Sequence, residues 1–318
     1  MTRNRSVFVT IGALVVATAL TLVACSTSIT GSTGSFKVGT GVHGIVVGPL
    51  TRSYLLHVPT RRPISPAGVV LPYPLLIVLH GSSGSADDIR QVTKMDSLSE
   101  TARFLVAYPS GVQGAGGLYP SDWNAGLCCG AAGRENVDDV AFISTLITEV
   151  ARKLTLDRQR IYVVGFSDGG RMAHHLACRL SPTIAAIGVV SGSLKDDGCA
   201  PTKPVAVIAI HGTSDDQVAY DDASLTAPSK PLTGVAATLP PSVQFWLAAD
   251  GCGAGTVSHM SANVVRTSFA GCTGAEVAFY TIKGGTHGWP GTGGSQPPMS
   301  ELAASVVVSQ FFSRQFRR

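Results

Sequence analysis

The sequence predicts an α/β chain: a mostly parallel sheet with helices on both faces, folded as a single domain. Three observations carry this. Several short apolar runs, such as "PLLIVLHG", "RIYVVGF" and "VAVIAIHG", end in or near glycine and carry no polar alternation, as strands buried on both faces do. Segments of helical periodicity alternate with them, which is the order of βα units. One of these runs breaks at "GFSDGG", Gly165 to Gly170, where a polar residue stands between a strand pattern and a helix pattern.

Taken in order, the chain opens with Arg3 and Arg5, then an apolar stretch from Val7 to Ala24. This reads as the n-region and h-region of an export signal, residues 1–24. "LVAC", ending at Cys25, leads into "STSITGSTGS", and residues 25–36 read as a Ser/Thr/Gly tether. "GIVVGPLTRSYLLHVP", Gly44 to Pro59, reads as two strands about a Gly-Pro turn. The buried strands "PLLIVLHG" and "RFLVAYPSG" follow, then a long Gly-rich loop containing "SDWNAGLCCG". A loop of that length in a compact domain is usually functional or pinned. In "NVDDVAFISTLITEVARKL", Val140, Ile143, Ile147, Val150 and Leu154 share one stripe, and Asp138 or Asp139 is placed to cap it. Next come the strand "RIYVVGF", a helix over 169–180, the strands "AAIGVVSG", "VAVIAIHG" and "AEVAFYTIKGG", and a last helix with Ser300 as its cap and Glu301 in its first turn. The basic end, Arg314 to Arg318, suits the solvated last turn of that helix. The domain proper is 37–318.

Composition narrows the classes. Of 318 residues, 45% are hydrophobic and 14% charged, which is enough for a large core. The net charge of +4, with no internal basic block, excludes nucleic acid as the expected partner. Of seven cysteines, setting Cys25 aside leaves six: Cys128, Cys129, Cys178, Cys199, Cys252 and Cys272. An even number in an exported chain predicts disulfides. Cys252 and Cys272 flank one short segment and are paired, closing a loop worth roughly 3 kcal/mol. Cys128 and Cys129 are then expected to pair with Cys178 and Cys199. No CxxC or HExxH spacing supports a metal, and no cofactor is expected.

The chemistry starts at Ser167. Gly165-Phe166-Ser167-Asp168-Gly169 is G-x-S-x-G in the setting its mechanism needs, a tight turn from strand to helix. The turn presents the serine Oγ and aims the Asp168 N–H toward a developing oxyanion. In parallel sheets other site groups follow strand ends. Asp215 and Asp216 follow "VAVIAI", and His287 follows the last strand in "KGGTHGWPG". The order Ser, Asp, His is that of α/β-hydrolases. His287 would take the serine proton, and an aspartate would hold the imidazole tautomer; the residues themselves leave Asp215 and Asp216 open. "LHGSSGS", after an early strand, offers the Ser82 N–H as the second oxyanion donor. The remaining histidines, His43, His57, His80, His174, His175, His211 and His259, read as packing or surface groups.

In register, "LHGSSGS", "DWNAGLCCG", "VDDVAFI", "GFSDGGRMAHHLAC", "HGTSDDQVAY" and "GGTHGWPG" resemble the polyhydroxybutyrate depolymerase and feruloyl esterase-like group of α/β-hydrolases. "LVAC" resembles a lipobox, and with it the chain resembles the actinobacterial Lpq-type lipoproteins. The resemblance implies Ser167, Asp215 and His287 as nucleophile, acid and base. It implies Trp123 and Trp289 as aromatics of the substrate cleft, and a diacylglyceryl anchor on Cys25. The chain departs from the pattern at Ser82, where depolymerases often carry Cys, at Thr286 in place of a glycine, and at Ala219 in place of a proline. None of these removes a reacting group. No second, polymer-adsorbing domain is read, which turns the expectation away from crystalline polyester.

The expected function is that of an exported, lipid-anchored serine esterase on the outer face of the cytoplasmic membrane, or released to the extracellular space. It would open a small-molecule or polymeric ester, with short hydroxyalkanoate, feruloyl and acetyl esters all open. Two other readings stand beside it. One is a peptidase of the same fold, since the same constellation cleaves amides. The other is an inactive surface-binding lipoprotein on a hydrolase scaffold.

Overall fold

The structure, a computed structural model, describes residues 36–113, 121–126, 128–222 and 232–317. All of them fall in one compact unit. The expected signal, Cys25 and the tether up to residue 35 lie outside the described residues. Phe36, the predicted last residue of the tether, is already buried in the core.

Twelve strands form among the described residues, ten of them in one sheet. The hairpin is β1 (Gly39–Val47) and β2 (Leu50–Val58), turning at Gly48-Pro49. The parallel centre is β4 (Leu105–Pro109), β3 (Tyr73–Leu79), β7 (Leu156–Phe166), β8 (Ala186–Val190), β9 (Ala206–Gly212) and β12 (Val277–Ile282). The antiparallel hairpin closes one edge. At the other edge, β11 (Val264–Phe269) and β10 (Thr256–His259) extend the sheet antiparallel beyond β12. β5 (Val112–Gln113) and β6 (Ser121–Asp122) form a small separate ladder.

Side-chain alternation sorts the core into two layers. Leu75, Ile77 and Leu79 of β3 and Ile161 and Val163 of β7 face one layer, with α4 (Asp139–Lys153), α5 (Asp168–Arg179) and α6 (Pro241–Ala249). Leu76, Val78, Tyr162 and Val164 face the other, with α1 (Ala86–Thr93), α2 (Met95–Ala102) and α7 (Ala304–Ser313). A five-residue helix, α3 (Gly130–Arg134), follows the Cys128–Cys129 pair. Asp138, not Asp139, caps α4 through Ala141 N–H. Asp139 is buried and paired with Arg52 instead.

Three expectations are corrected. Cys252–Cys272 is bonded as expected, but Cys178 pairs with Cys199 and Cys128 with its neighbour Cys129. The reason is distance. The Asp168 carboxylate lies within 4.8 Å of the Cys128 and Cys129 sulfurs, and Cys178 stands about 15 Å further along the same helix, beyond the reach of a disulfide. With both sulfurs oxidised, this group offers no thiolate to a metal. Ser300 does not cap the last helix: a short 3₁₀ turn, Met299–Glu301, comes first, and α7 starts at Ala304. Glu301 accepts from Asn263 Nδ2 at 2.6 Å instead. The described part of the basic end, residues 314–317, lies past the helix, where Arg314 is bidentate to Glu276 and Arg317 N–H donates to the Gln159 carbonyl; Arg318 lies outside the described residues.

Candidate active site

β7 ends one residue short of Ser167, and α5 starts one residue after it. Ser167 adopts φ 56°, ψ −117°, a conformation costly for a residue with a side chain and characteristic of functional turns. Two glycines make the bend fit. A Cβ on Gly165 would lie 1.9 Å from the Gly169 carbonyl oxygen, and one on Gly169 would lie 2.4 Å from that of His80. Strand, helix and the loop after β3 therefore meet backbone to backbone. The Asp168 N–H is the first of the helix and has no intrahelical acceptor by geometry.

β9 and β12 are parallel neighbours, with Gly212 opposite Ile282, so the loops after them run side by side. They are stitched together: Thr213 N–H donates to the Ile282 carbonyl, Ser214 N–H to that of Gly285, and Gly284 N–H to Thr213 Oγ1. A Cβ on Gly212 would lie 2.2 Å from the Gly285 oxygen. This seam delivers Asp215 and His287 to one point. His287 Nδ1 lies 2.9 and 3.0 Å from the two Asp215 carboxylate oxygens, and Nε2 lies 3.0 Å from Ser167 Oγ. The three predicted residues are brought together. Asp216 is exposed.

Asp215 is buried, which raises its carboxyl. Hydrogen bonds from Val218 N–H, the His287 ring and Gln217 N–H outweigh burial and hold it below the ordinary value, so it stays ionised. His211, expected to be a packing group, has Nε2 2.8 Å from the Val218 carbonyl and 3.2 Å from Asp215 Oδ2. Burial holds it below its ordinary pKa and so neutral. Phe166 packs on the His287 ring at 4.9 Å between centroids.

Ser82 sits beside the bend: a Cβ on Gly81 would be 3.2 Å from the Ser167 Cβ. The Ser82 hydroxyl donates to Asp122 Oδ1. Asp168 is buried against Trp123 N–H, and burial pushes its carboxyl up to about 7. Trp289 is almost wholly buried and donates to Ser305 Oγ, yet it borders a cleft of about 540 Å³ that also includes His287, Thr286, Gly288 and Gln296. Trp123 is corrected. It has no exposed surface, and its indole N–H donates to the His80 carbonyl, so it stands behind the site rather than in a cleft. Sequence reasoning missed the parts played by Asp122, His80 and His211. The pairing of Asp122 and Trp123 in one motif was the available signal.

Such an arrangement is able to move a proton from Ser167 Oγ to His287 Nε2 while the carboxylate steadies the imidazolium.

Feruloyl esterase B of Piromyces equi is 32% identical over 227 residues, covering 67% of this chain and 39% of that protein, so the chain spans well under half of that relative's length. Feruloyl esterase C of Emericella nidulans is 28% identical over 257 residues, covering 78% of this chain and 81% of that one. The solved acetyl xylan esterase of Aspergillus awamori superposes with a TM-score of 0.54 at 16% identity, over 78% of this chain and 94% of that one, a likeness of fold and an α/β-hydrolase one. The family model described as esterase, PHB depolymerase matches residues 53–275, from the hairpin to the last strand's approach, and the chain belongs to that esterase family.

Proposed function

We propose that the protein is an exported, lipid-anchored serine esterase that opens carboxylic esters through an acyl-enzyme. The observation that carries this is the relay Ser167 Oγ, His287 Nε2 and Nδ1, and Asp215, with both links at about 3 Å. Ser167 Oγ attacks the ester carbonyl as its proton passes to His287 Nε2. The Ser82 and Asp168 N–H groups meet the oxyanion. His287 then gives the proton to the departing alcohol, and water repeats the sequence to release the acid. Asp215, not Asp216, is the acid on this reading.

The cleft beside His287 is walled by neutral residues, among them Thr292, Ser295, Gln296 and Trp289. It suits an uncharged ester, with feruloyl, acetyl and short hydroxyalkanoate groups as candidates. Anchoring through Cys25 rests on the "LVAC" pattern, and three disulfides among the described residues suit an oxidising compartment.

One experiment tests both parts. Full-length chain, expressed in a lipidating bacterial host, is treated with a fluorophosphonate and partitioned into detergent. Label is expected at Ser167 in the detergent phase and absent in Ser167→Ala, and radiolabelled fatty acid is expected to enter the wild-type chain and not Cys25→Ala. Equal labelling of Ser167→Ala sinks the catalytic assignment, and equal fatty-acid incorporation into Cys25→Ala sinks the anchor.

A further inference from the structure

We propose that Asp122 and Trp123 are positioning residues that hold the two halves of the oxyanion site in register. This rests on the esterase reading above. On that reading one donor, Asp168 N–H, belongs to the serine bend, and the other, Ser82 N–H, to the loop after β3. They come from different elements, whose strands pair at Leu79 and Gly165 and whose backbones meet at His80 and Gly169. Donors of this kind act only when both lie about 2.7–3.1 Å from the oxyanion.

The segment Ser121–Asn124 touches both halves. On the loop side, the Asp122 carboxylate accepts from the Ser82 hydroxyl, the Ser121 carbonyl accepts from Ser83 N–H at 2.9 Å, and the Trp123 indole donates to the His80 carbonyl at 3.0 Å. On the bend side, Trp123 N–H donates to Asp168 Oδ2 at 3.0 Å. Trp123 thus donates from its backbone to one half and from its ring to the other. Behind it the segment is moored: Asn124 N–H donates to Asp139 Oδ2 at 2.8 Å, and Asp139 is held by Arg52 at 2.7 Å.

His80 completes the loop side. Its Nε2 accepts from Gly111 N–H at 2.9 Å, which leaves Nδ1–H to donate to the Gly81 carbonyl at 2.7 Å. The acceptor role of Nε2 requires the neutral ring, and burial keeps the ring neutral. Even the start of α3 makes room for the brace, since a Cβ on Gly130 would lie 1.7 Å from Asp122 Oδ2. Trp123 is fully buried and Asp122 is 3% exposed. Neither reaches the reacting atoms, so their effect on the reaction passes through the donors they place.

The test compares wild type, Trp123→Phe and Asp122→Asn as full-length chains. Trp123→Phe keeps an aromatic side chain but removes the pyrrole part of the indole with its N–H, and Tm reads the packing lost with it; Asp122→Asn keeps the size and weakens the acceptor. Three quantities are read for each: kcat and KM on a short acyl ester, normalised to sites titrated with fluorophosphonate; Ki for a trifluoromethyl ketone, which forms an oxyanion on Ser167; and Tm. A misplacement approaching 1 Å costs about 100-fold in rate, so a loss of about 10- to 100-fold in kcat at little-changed KM is expected. Ki should rise by the same factor, because only the oxyanion state feels the hole. Variants whose titrated sites keep wild-type kcat and Ki, whatever their Tm, overturn the inference and leave a purely structural brace. So does a fall in kcat with Ki unchanged. A wild-type chain that neither hydrolyses esters nor binds the ketone overturns the esterase reading and this inference with it.

Discussion

Asp215 and Asp216 are neighbours in sequence and opposites in environment. Asp215 is buried and accepts from Gln217 N–H, Val218 N–H and the His287 ring, whereas Asp216 is exposed. Residue type and spacing could not separate them, because a one-residue shift in a loop changes everything about orientation and nothing about composition. The same limit applied to Trp123. An aromatic near a cleft motif is equally able to face in or out, and only the packing shows that it faces in. Ser167 and His287 were legible because each follows a recognisable strand. Asp215→Asn should lower kcat by about 10⁴ by presenting His287 with the wrong partner for its tautomer. Asp216→Asn, on an exposed side chain, should change it by no more than about twofold. Turnover of a short acyl ester, corrected for titrated Ser167, measures both; a larger loss at Asp216 would reassign the acid.

At the scale of elements, the buried strands and the amphipathic α4 could be read directly, since burial on two faces writes a continuous apolar run and burial on one writes a stripe. The missed elements lack that signal. In α1, "ADDIRQVT", Ile89 is the lone large apolar residue facing the core, and its start is marked mainly by the cap Ser85 Oγ to Asp88 N–H. β10 is the edge strand and β11 its inner neighbour, both with mixed faces, which alternate too weakly to stand out from a loop. The bend between β7 and α5 is the element on which the site turns, and it depends on the absence of side chains at two places. Gly169→Ala puts a Cβ 2.4 Å from the His80 oxygen and 2.5 Å from that of Leu79. Both are backbone atoms, so the helix start must move off the β3 loop. Overpacking of this kind costs about 1–3 kcal/mol, with the fluorophosphonate rate at Ser167 expected to fall together with chemical-denaturation stability. A variant with wild-type labelling would show that the close approach is not needed to build the site.

Across the whole molecule, the carboxylates held away from their ordinary values divide into two groups that act on stability at different pH. In Asp215 and Glu276 burial is outweighed by hydrogen bonds, from Val218, His287 and Gln217 in the first and from Arg314 and Gln315 in the second, and both are held below their ordinary values. Their contribution is present above the unfolded pKa and is lost as pH falls through the depressed folded value. Asp168 and Asp250 go the other way, pushed by burial from 3.8 up to about 7. Asp250 is 2% exposed at the end of α6, beside the Cys252–Cys272 bridge. It accepts from the backbone of Val205 and Ala275, with burial still dominant. As pH rises from about 4 toward 7, its carboxyl ionises in the unfolded chain before it ionises in the folded one. Stability therefore falls across that window and levels off above it. Asp250→Asn removes this titration and leaves that of Asp168 in place, so the difference between the two proteins isolates one carboxyl. Urea midpoints at pH 5 and pH 7.5 should drop less in Asp250→Asn than in wild type, with the variant gaining on wild type as pH rises. Parallel pH slopes would mean that Asp250 ionises in the fold as readily as in the unfolded chain, and that the buried end of α6 is not where the molecule loses stability toward neutral pH.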